Sequence, residues 1–442
     1  MTRFIPMRSD DTIFAIASGH GRAAVCLIRI SGPESRRILE LMAGRMPEPR
    51  RAVVRTLKDP VTGEALDQAL VLWMPGPGSF TGEDQAELQI HGGLATRAAV
   101  LRALGSLDNC RAAEAGEFTR RAFLNGRMDL AQVEGLADII DAETEAQRRQ
   151  AMRQLGGRMG NAAEGWRESV LQVLALLEAS LDFSDEGDVP ENLEAEILQM
   201  IDRVGGEIGQ ALANRSGERL RDGLTVVLAG PPNAGKSTLM NALARRDVAI
   251  VSPIAGTTRD VIEVHCDLGG LPVIIVDTAG LRESADVVEQ EGVSRARARA
   301  ENADLVLWLV PPEGEETAPP QARRLVRVGT KLDLSGSRQD CDLTIAAATG
   351  EGLPELIARL EEEAAALMGQ GDAIVTRERH RKALERAHAA LGRSRAMLVN
   401  HGPLELAAEE ARMAARAIGE ITGRVDVEDV LDRLFSSFCI GK

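Results

Sequence analysis

Two glycines, a lysine and a serine spaced G-x-x-x-x-G-K-[ST] are the residue types that can wrap a chain of phosphates. Gly230 to Ser237 fill every fixed position of that pattern. Gly230 and Gly235 let the backbone turn tightly and press its N–H groups against an anion. Lys236 supplies a point charge for the outer phosphates, and Ser237 a hydroxyl for Mg²⁺. The apolar run Leu224–Ala229 precedes the loop and helix-forming residues follow it, so a positive helix end points at the same place. Chance matches to the pattern occur in long chains, but one set between a strand and a helix has the context that phosphate binding needs.

Three further stretches follow in order. Gly256-Thr257-Thr258-Arg259-Asp260 lies in a polar segment after Val248–Ile254, where a switch loop would carry a threonine to Mg²⁺. Asp277-Thr278-Ala279-Gly280 ends the run Val273–Val276; there the aspartate would hold Mg²⁺ through water and the glycine N–H would meet the γ-phosphate. Thr330-Lys331-Leu332-Asp333 follows a later apolar run. A carboxylate at Asp333 can accept from both N1–H and the 2-amino group of guanine, whereas adenine leaves it unpaired. Each short motif means little alone; four in order, each at a strand end, imply a GTPase. Nucleotide contacts are expected from Asn233, Ala234, Gly235, Lys236, Ser237 and Thr238, from Ser252, Pro253, Ile254, Ala255, Gly256, Thr257 and Thr258, from Asp277, Thr278, Ala279 and Gly280, and from Thr330, Lys331 and Asp333. Leu281 stands where Ras-type enzymes carry the glutamine that orients the attacking water. Glu283, Asp286, Glu289 and Glu291 are the acidic alternatives downstream, and a solvated surface role is equally open to each.

Strands to hold these motifs are predicted at Leu224–Ala229, Val273–Val276, Leu305–Val310 and Leu325–Gly329, with helical stretches between, the pattern of a largely parallel α/β sheet. Helical sequence flanks it on both sides. Trp166, Val170, Val173, Leu174, Leu177 and Leu181 form one apolar stripe, and Leu130, Val133, Leu136, Ala137 and Ile140 another. Helix is broken by the acidic Asp182–Glu191, resumes at Leu193, and returns at Thr376–Val399, Leu404–Thr422 and Val427–Phe438. Short β-type runs at Ala24–Ile30, Val53–Leu57, Ala69–Met74 and Ala86–Ile90, with a helical Leu94–Leu104, make the start of the chain α+β. The fold class expected is therefore multidomain: an α+β domain over 1–125, a discontinuous α-helical domain over 126–222 and 370–442, and an inserted α/β P-loop GTPase domain over 223–369.

The 442 residues are too many for one ordinary core. Aromatics are 2% with no tyrosine, so cores must rest on Leu, Val, Ile, Ala and Met, and base stacking on aromatic platforms is disfavoured. A net charge of −15 argues against non-specific nucleic-acid binding, so an RNA partner must meet a local basic face or be brought by another subunit. Five scattered cysteines without a C-x-x-C pair read as reduced thiols, not a zinc site. No signal-peptide core and no run of 18 apolar residues is found, so a soluble cytoplasmic protein with no membrane contact is expected.

Together with Phe438-Cys439-Ile440-Gly441-Lys442 at the end of the chain, the loop GPPNAGKS, Gly-Thr-Thr-Arg-Asp and Asp-Thr-Ala-Gly resemble the MnmE (TrmE) family of tRNA modification GTPases. The likeness covers the whole chain, including Pro77–Asp84, His91-Gly92-Gly93 and Gly116–Asn125. It implies an N-terminal domain that dimerises and binds a 5-formyl- or 5,10-methylene-tetrahydrofolate through Arg29, Glu87, Arg127 and Lys442. It implies a heterotetramer with the FAD protein MnmG, FAD entering only through that partner. The pair would install aminomethyl or carboxymethylaminomethyl groups on C5 of the wobble uridine of certain tRNAs.

The resemblance further implies K⁺ in place of an arginine finger, held by Asn233, Ser252, Ile254 and Thr257, Mg²⁺ held by Ser237 and Thr258, and a catalytic set of Glu289, Lys236 and Asn233, with Glu289 positioning water. The chain departs from the family in three places. Arg127 stands where lysine is common, keeping charge but not geometry. Thr330 replaces the usual asparagine of the base motif, and Ala346-Ala347-Ala348 replaces Ser-Ala-Arg or Ser-Ala-Lys. Cys439 reads equally as a chemical group or as a small apolar residue beside Phe438. A ribosome-assembly GTPase of the Era or Der type shares the Gly-Thr-Thr-Arg-Asp loop, but it calls for a basic RNA-binding domain that this acidic chain lacks.

Overall fold

The computed structural model describes residues 11–19, 21–182, 193–246, 248–250, 263–277, 303–312, 319–335, 340–369 and 373–425, with 431, 434–436, 438 and 440–441 near the end. The chain divides into two compact units, Met1–Ala137 with Thr422–Lys442, and Asp138–Ile421.

The first unit is built on a six-stranded sheet of order β3-β4-β5-β2-β1-β6, with β1 Thr12–Ile16, β2 Ala23–Ser31, β3 Val53–Lys58, β4 Ala65–Met74, β5 Gln85–Gly92 and β6 Cys110–Ala112. β2 and β5 pair antiparallel with Arg29 opposite Glu87 and Ser31 opposite Gln85. Side chains alternate along a strand, so Ile28, Ile30, Leu88 and Ile90 go to one face and Arg29, Ser31 and Glu87 to the other. The apolar face packs on helices α1 (Ser35–Ala43) and α2 (Leu94–Gly105) through Ile38, Leu39, Met42, Val100 and Leu104, all buried. Each such side chain removed from water stabilises the fold by roughly 1.5–3 kcal/mol, which is how a core with few aromatics suffices. On the second face, Ile13 and Ala15 pack with Phe118 of α3 (Glu117–Leu124) and with Phe80.

The tail belongs to this unit. Leu431, Phe435 and Phe438 are buried against Leu130 and Val133 of α4 (Leu130–Asp141). Ile440 bridges to Ala115, and Gly441 lies against the Ile16 carbonyl so closely that a Cβ would stand 2.2 Å from it. Val427, Val430 and Asp426, expected to build and cap the last helix, lie outside the described residues.

In the second unit, α5 (Glu145–Leu155), α6 (Arg158–Asp182), α7 (Leu193–Ala213) and α8 (Ser216–Asp222) precede a second six-stranded sheet, and α12 (Glu378–Val399) and α13 (Leu404–Thr422) follow it. The expected stripe of α6 buries Trp166, Val170, Val173 and Leu177, while Ile140 at the end of the other stripe is 37% exposed. α5 starts on a capping box in which Thr144 and Gln147 satisfy each other's backbone N–H groups.

The second sheet runs β12-β11-β10-β7-β9-β8, with β7 Leu224–Ala229, β8 Glu263–Leu268, β9 Leu271–Asp277, β10 Leu305–Val310, β11 Leu325–Gly329 and β12 Leu343–Thr344. All neighbours are parallel except the β8–β9 hairpin. α9 (Lys236–Ala244), α10 (Leu332–Ser335) and α11 (Leu353–Met368) complete it. Alternation of buried and exposed residues is absent in β10, where Leu305 to Trp308 are all buried, as a central parallel strand requires. The fold class is thus that of an α+β N-terminal domain, helical segments on both sides of a sheet, and a P-loop α/β sheet between them.

Candidate functional site

β7 sits between β10 and β9, so the chain leaves its C-terminal end at the point where strand order reverses, the crevice that α/β sheets use for ligands. Gly230 there has φ 149° and Gly235 φ 93°, both closed to ordinary side chains. A Cβ on Gly230 would stand 2.6 Å from the Leu309 carbonyl of β10. Asn233 has φ 62°, a left-handed value that asparagine tolerates better than most residues. The loop therefore curls inward and runs into α9, with Gly235 as its N-cap. Lys236 Nζ donates to the carbonyls of Gly230 at 2.8 Å and Pro231 at 3.0 Å. Ser237 Oγ donates to Asp277 Oδ2 at 3.2 Å, and Asp277, ending β9, is 1% exposed. Two hard oxygen donors side by side at the mouth of the loop fit Mg²⁺.

The base end is organised by β11 and β12. Thr330 is buried, with its N–H on the Val310 carbonyl at 2.9 Å, and Lys331 is left-handed at φ 59°. Asp333 is exposed on α10. Ala346 is fully buried and donates its backbone N–H to the Glu351 carbonyl. Ser252, Pro253, Ile254, Ala255, Gly256, Thr257 and Thr258, then Thr278, Ala279, Gly280 and Glu289, lie outside the described residues, as do Cys439 and Lys442. Ala234 is buried under the loop, and Thr238 is exposed on the first turn of α9.

The β8–β9 hairpin, which the sequence reading did not resolve into two strands, joins the two switch segments. It is fastened to α5 and the turn before it: His265 Nδ1 lies 2.9 Å from Glu143 Oε2, and Ala146 N–H donates to the Gly270 carbonyl. A cleft of about 760 Å³ between α6 and α7, lined by Trp166, Arg203 and Glu207, contains none of the motif residues.

A second polar cluster occupies the first unit. Arg29 donates from Nε and Nη2 to Glu87 Oε1 at 3.3 and 3.2 Å across the β2–β5 rung. Its guanidinium lies 5.3 Å from the Phe80 ring and 5.8 Å from the Phe118 ring, an aromatic frame that fixes the cation. Arg127 is exposed and packs along Gly82 of the same loop that carries Phe80. Three of the four folate ligands expected from the resemblance thus meet around one loop. Gln89 is half-buried and His91 is exposed, its Nδ1 2.7 Å from Asp67 Oδ1, so the strand face beyond Glu87 is an ordinary solvated one. Phe80 and Phe118 escaped the sequence reading. The available signal was a phenylalanine within the polar loop Pro77–Asp84 of a chain with only eight.

The family model for the MnmE helical domain matches residues 130–439, and that for the GTP-binding protein TrmE N-terminus matches residues 12–127. The chain is 62% identical over 439 residues to the tRNA modification GTPase MnmE of Methylobacterium sp. (strain 4-46), covering 98% of this chain and 100% of that one. It is 58% identical over 446 residues to the protein of the same name from Methylorubrum populi, covering 100% of both. Among solved structures, Aquifex aeolicus Era bound to GDP·AlF4⁻ is similar over 38% of this chain and 66% of its own, at 25% identity and a TM-score of 0.26, a likeness too slight to weigh. Among the described residues no helix is long and apolar enough to cross a membrane. The helical-domain match spans most of the chain and encloses the phosphate loop, and the relatives align from end to end: this chain belongs to the MnmE family of tRNA modification GTPases.

Proposed function

We propose that this chain hydrolyses GTP in a K⁺-stimulated manner. With an FAD-dependent MnmG-like partner, it uses a tetrahydrofolate one-carbon unit to add an aminomethyl or carboxymethylaminomethyl group to C5 of the wobble uridine of certain tRNAs. It works as a cytoplasmic homodimer that assembles with the partner into a heterotetramer. The observation that carries the reading is the phosphate loop at the sheet's switch point, with Lys236, Ser237 and the buried Asp277 converging on it. Supporting it, the same chain holds the framed Arg29–Glu87 pair in its N-terminal unit.

In this reading the loop N–H groups and the α9 end cradle the phosphates, and Lys236 turns from its backbone carbonyls to the outer ones. Ser237 and Thr258 hold Mg²⁺, with Asp277 behind them; Asn233 with Ser252, Ile254 and Thr257 hold K⁺. Such cations, when bound, neutralise charge that develops between β- and γ-phosphates. Glu289 positions water in place of the missing glutamine, and Asp333 selects guanine. Arg29, Glu87, Arg127 and Lys442 take the folate, whose pterin offers donors to a carboxylate and whose glutamyl tail offers carboxylates to basic groups. The boundaries proposed are 1–125, 126–222 with 370–442, and 223–369.

The test is steady-state GTP hydrolysis in KCl against NaCl, with Asn233→Gly as the variant. Glycine keeps the left-handed backbone and removes the carboxamide together with its Cβ. The expected outcome is stimulation by K⁺ in the natural protein and its loss in Asn233→Gly with nucleotide binding retained. Equal rates in the two salts would remove the K⁺ reading.

A further inference from the structure

The face of the first sheet that carries Arg29 and Glu87 also carries an ion-pair chain built from other residues. Arg121, on α3, is 3% exposed. Its Nη1 donates to the Asp11 carbonyl at 2.9 Å and to Glu83 Oε2 at 3.0 Å, and its Nη2 to Glu117 Oε1 at 3.2 Å. Glu117, equally buried, is gripped on both oxygens by Arg111 at 2.6 and 2.9 Å. Glu83 passes the connection on. Its Oε2 accepts from Ser31 Oγ at 2.8 Å, and a carboxylate can only accept, so the Ser31 hydroxyl hydrogen is committed there. Ser31 Oγ then accepts from Thr81 Oγ1 at 2.7 Å. Thr81 and Glu83 lie in the loop 76–84 that brings Phe80 over the Arg29 guanidinium.

The register gives this chain its direction. Ser31 is two residues from Arg29 on β2 and shares its face; its rung partner is Gln85, and its hydroxyl reaches past that rung to Glu83 in the loop that leads into β5, on the side of the face that carries Arg29–Glu87. A buried ion pair is weak evidence for stability, because a well-packed apolar pair often does as well. What apolar packing does not supply is an angle, and a planar guanidinium with three fixed acceptors does. α3 also carries Phe118, the other ring against Arg29, so the residue that anchors the loop and one wall of the frame sit on the same helix.

We propose that Arg121 is a positioning residue for the folate pocket: through Glu83 it holds the 76–84 loop, and with it Phe80, over the Arg29–Glu87 pair. This rests on the reading of that pair as a folate site. Arg121 itself touches no ligand; it sets where Arg29 stands when one arrives. The ligand class is a reduced folate with an anionic glutamyl tail.

The experiment is calorimetric titration of the full-length protein with 5-formyl-tetrahydrofolate. The natural protein, Arg121→Lys, Glu83→Gln, Arg29→Lys and the Arg29→Lys/Arg121→Lys double variant are compared. Arg121→Lys keeps the charge and loses the fork; Glu83→Gln keeps the side chain's shape on a partly exposed residue and decides the matter if Arg121→Lys does not fold. Each of the two is expected to raise the folate Kd about tenfold, the scale of one lost charge-assisted contact. The readout that a merely structural role would not move is coupling. If Arg121 acts by placing Arg29, the loss from Arg29→Lys shrinks in the Arg121→Lys background, although the two side chains do not touch. Unchanged folate affinity in Glu83→Gln, or losses that simply multiply in the double variant, would overturn the proposal. If the natural protein bound no folate, the folate reading itself would fall, and this proposal with it.

Discussion

Gly441→Ala tests how the two ends of the chain meet. Gly441 is buried with φ 102°, and an added Cβ would stand 2.2 Å from the Ile16 oxygen, 2.9 Å from its carbon and 3.1 Å from Ala17 Cα. All three are backbone atoms, so no rotamer change relieves the overlap. The left-handed conformation itself costs alanine roughly 1–2 kcal/mol. Against this, the backbone contact at Ala115–Ile440 that holds the tail contributes about 0.5–1.5 kcal/mol. The tail therefore lifts away, while Phe435 and Phe438 stay packed on Leu130 and Val133. Losing about 1 kcal/mol moves the thermal midpoint by only about 2–4 °C. Lys442, one residue on, is the proposed folate ligand, and losing a hydrogen bond to a charged group costs about 1.5–3 kcal/mol, or about 10- to 100-fold in Kd. Calorimetry with 5-formyl-tetrahydrofolate beside a thermal melt separates the two effects. An unchanged folate Kd would refute the reasoning and leave the tail to serve the partner enzyme or tRNA.

Other perturbations read other parts of the site. Gly230→Ala puts a Cβ 2.6 Å from the Leu309 carbonyl; pushing the loop off β10 should weaken binding of a fluorescent GDP analogue about 10- to 100-fold, the scale of 1–3 kcal/mol of overpacking. Thr330→Asn restores the family's side chain at a buried position beside Val310 and should tighten GTP binding about fivefold, the worth of one hydrogen bond; equal affinity would show that this position does not limit binding. Glu117 gives a pH signature. Burial pushes its carboxyl up, but the Arg111 fork, the Glu114 N–H and Arg121 outweigh this and hold it below the usual carboxylate range. A lowered folded value means the stabilisation is fully present above the unfolded carboxylate pKa and is lost as pH falls through the folded one. Thermal midpoints should therefore drop below about pH 4.5 more steeply in the natural protein than in Glu117→Gln.

The phosphate site was legible because each of its motifs is contiguous and follows a mostly apolar strand. Leu224–Ala229, Leu305–Val310 and Leu325–Gly329 are strands over the expected spans. β8 was not picked out, although Glu263-Val264-His265-Cys266-Asp267-Leu268 alternates polar and apolar residues as an edge strand does, so its signal was present and short rather than absent. β1, Thr12–Ile16, is too short to show a period, whereas α1 carries Ile38, Leu39, Met42 and Ala43 at helical spacing and was within reach of the pattern. The cluster proposed for folate was singled out only through the resemblance. Arg29 and Glu87 are 58 residues apart, and only strand register makes them neighbours. Phe80, Phe118, Glu83 and Arg121 assemble by tertiary packing of a loop and a helix on one sheet face, which no periodicity in the sequence announces.

In the proposed function the phosphate loop and the Arg29–Glu87 cluster serve one reaction, on the wobble uridine of tRNA. The measurement that tests it most directly is a mass-spectrometric profile of wobble-position uridines in total tRNA from a strain deleted for this chain, compared with its parent and with a strain complemented by Ser237→Ala. C5-aminomethyl and carboxymethylaminomethyl uridines are expected to disappear in the deletion and not to be restored by Ser237→Ala, which lacks the hydroxyl proposed to hold Mg²⁺. Undiminished C5-modified wobble uridine in the deletion strain would contradict it.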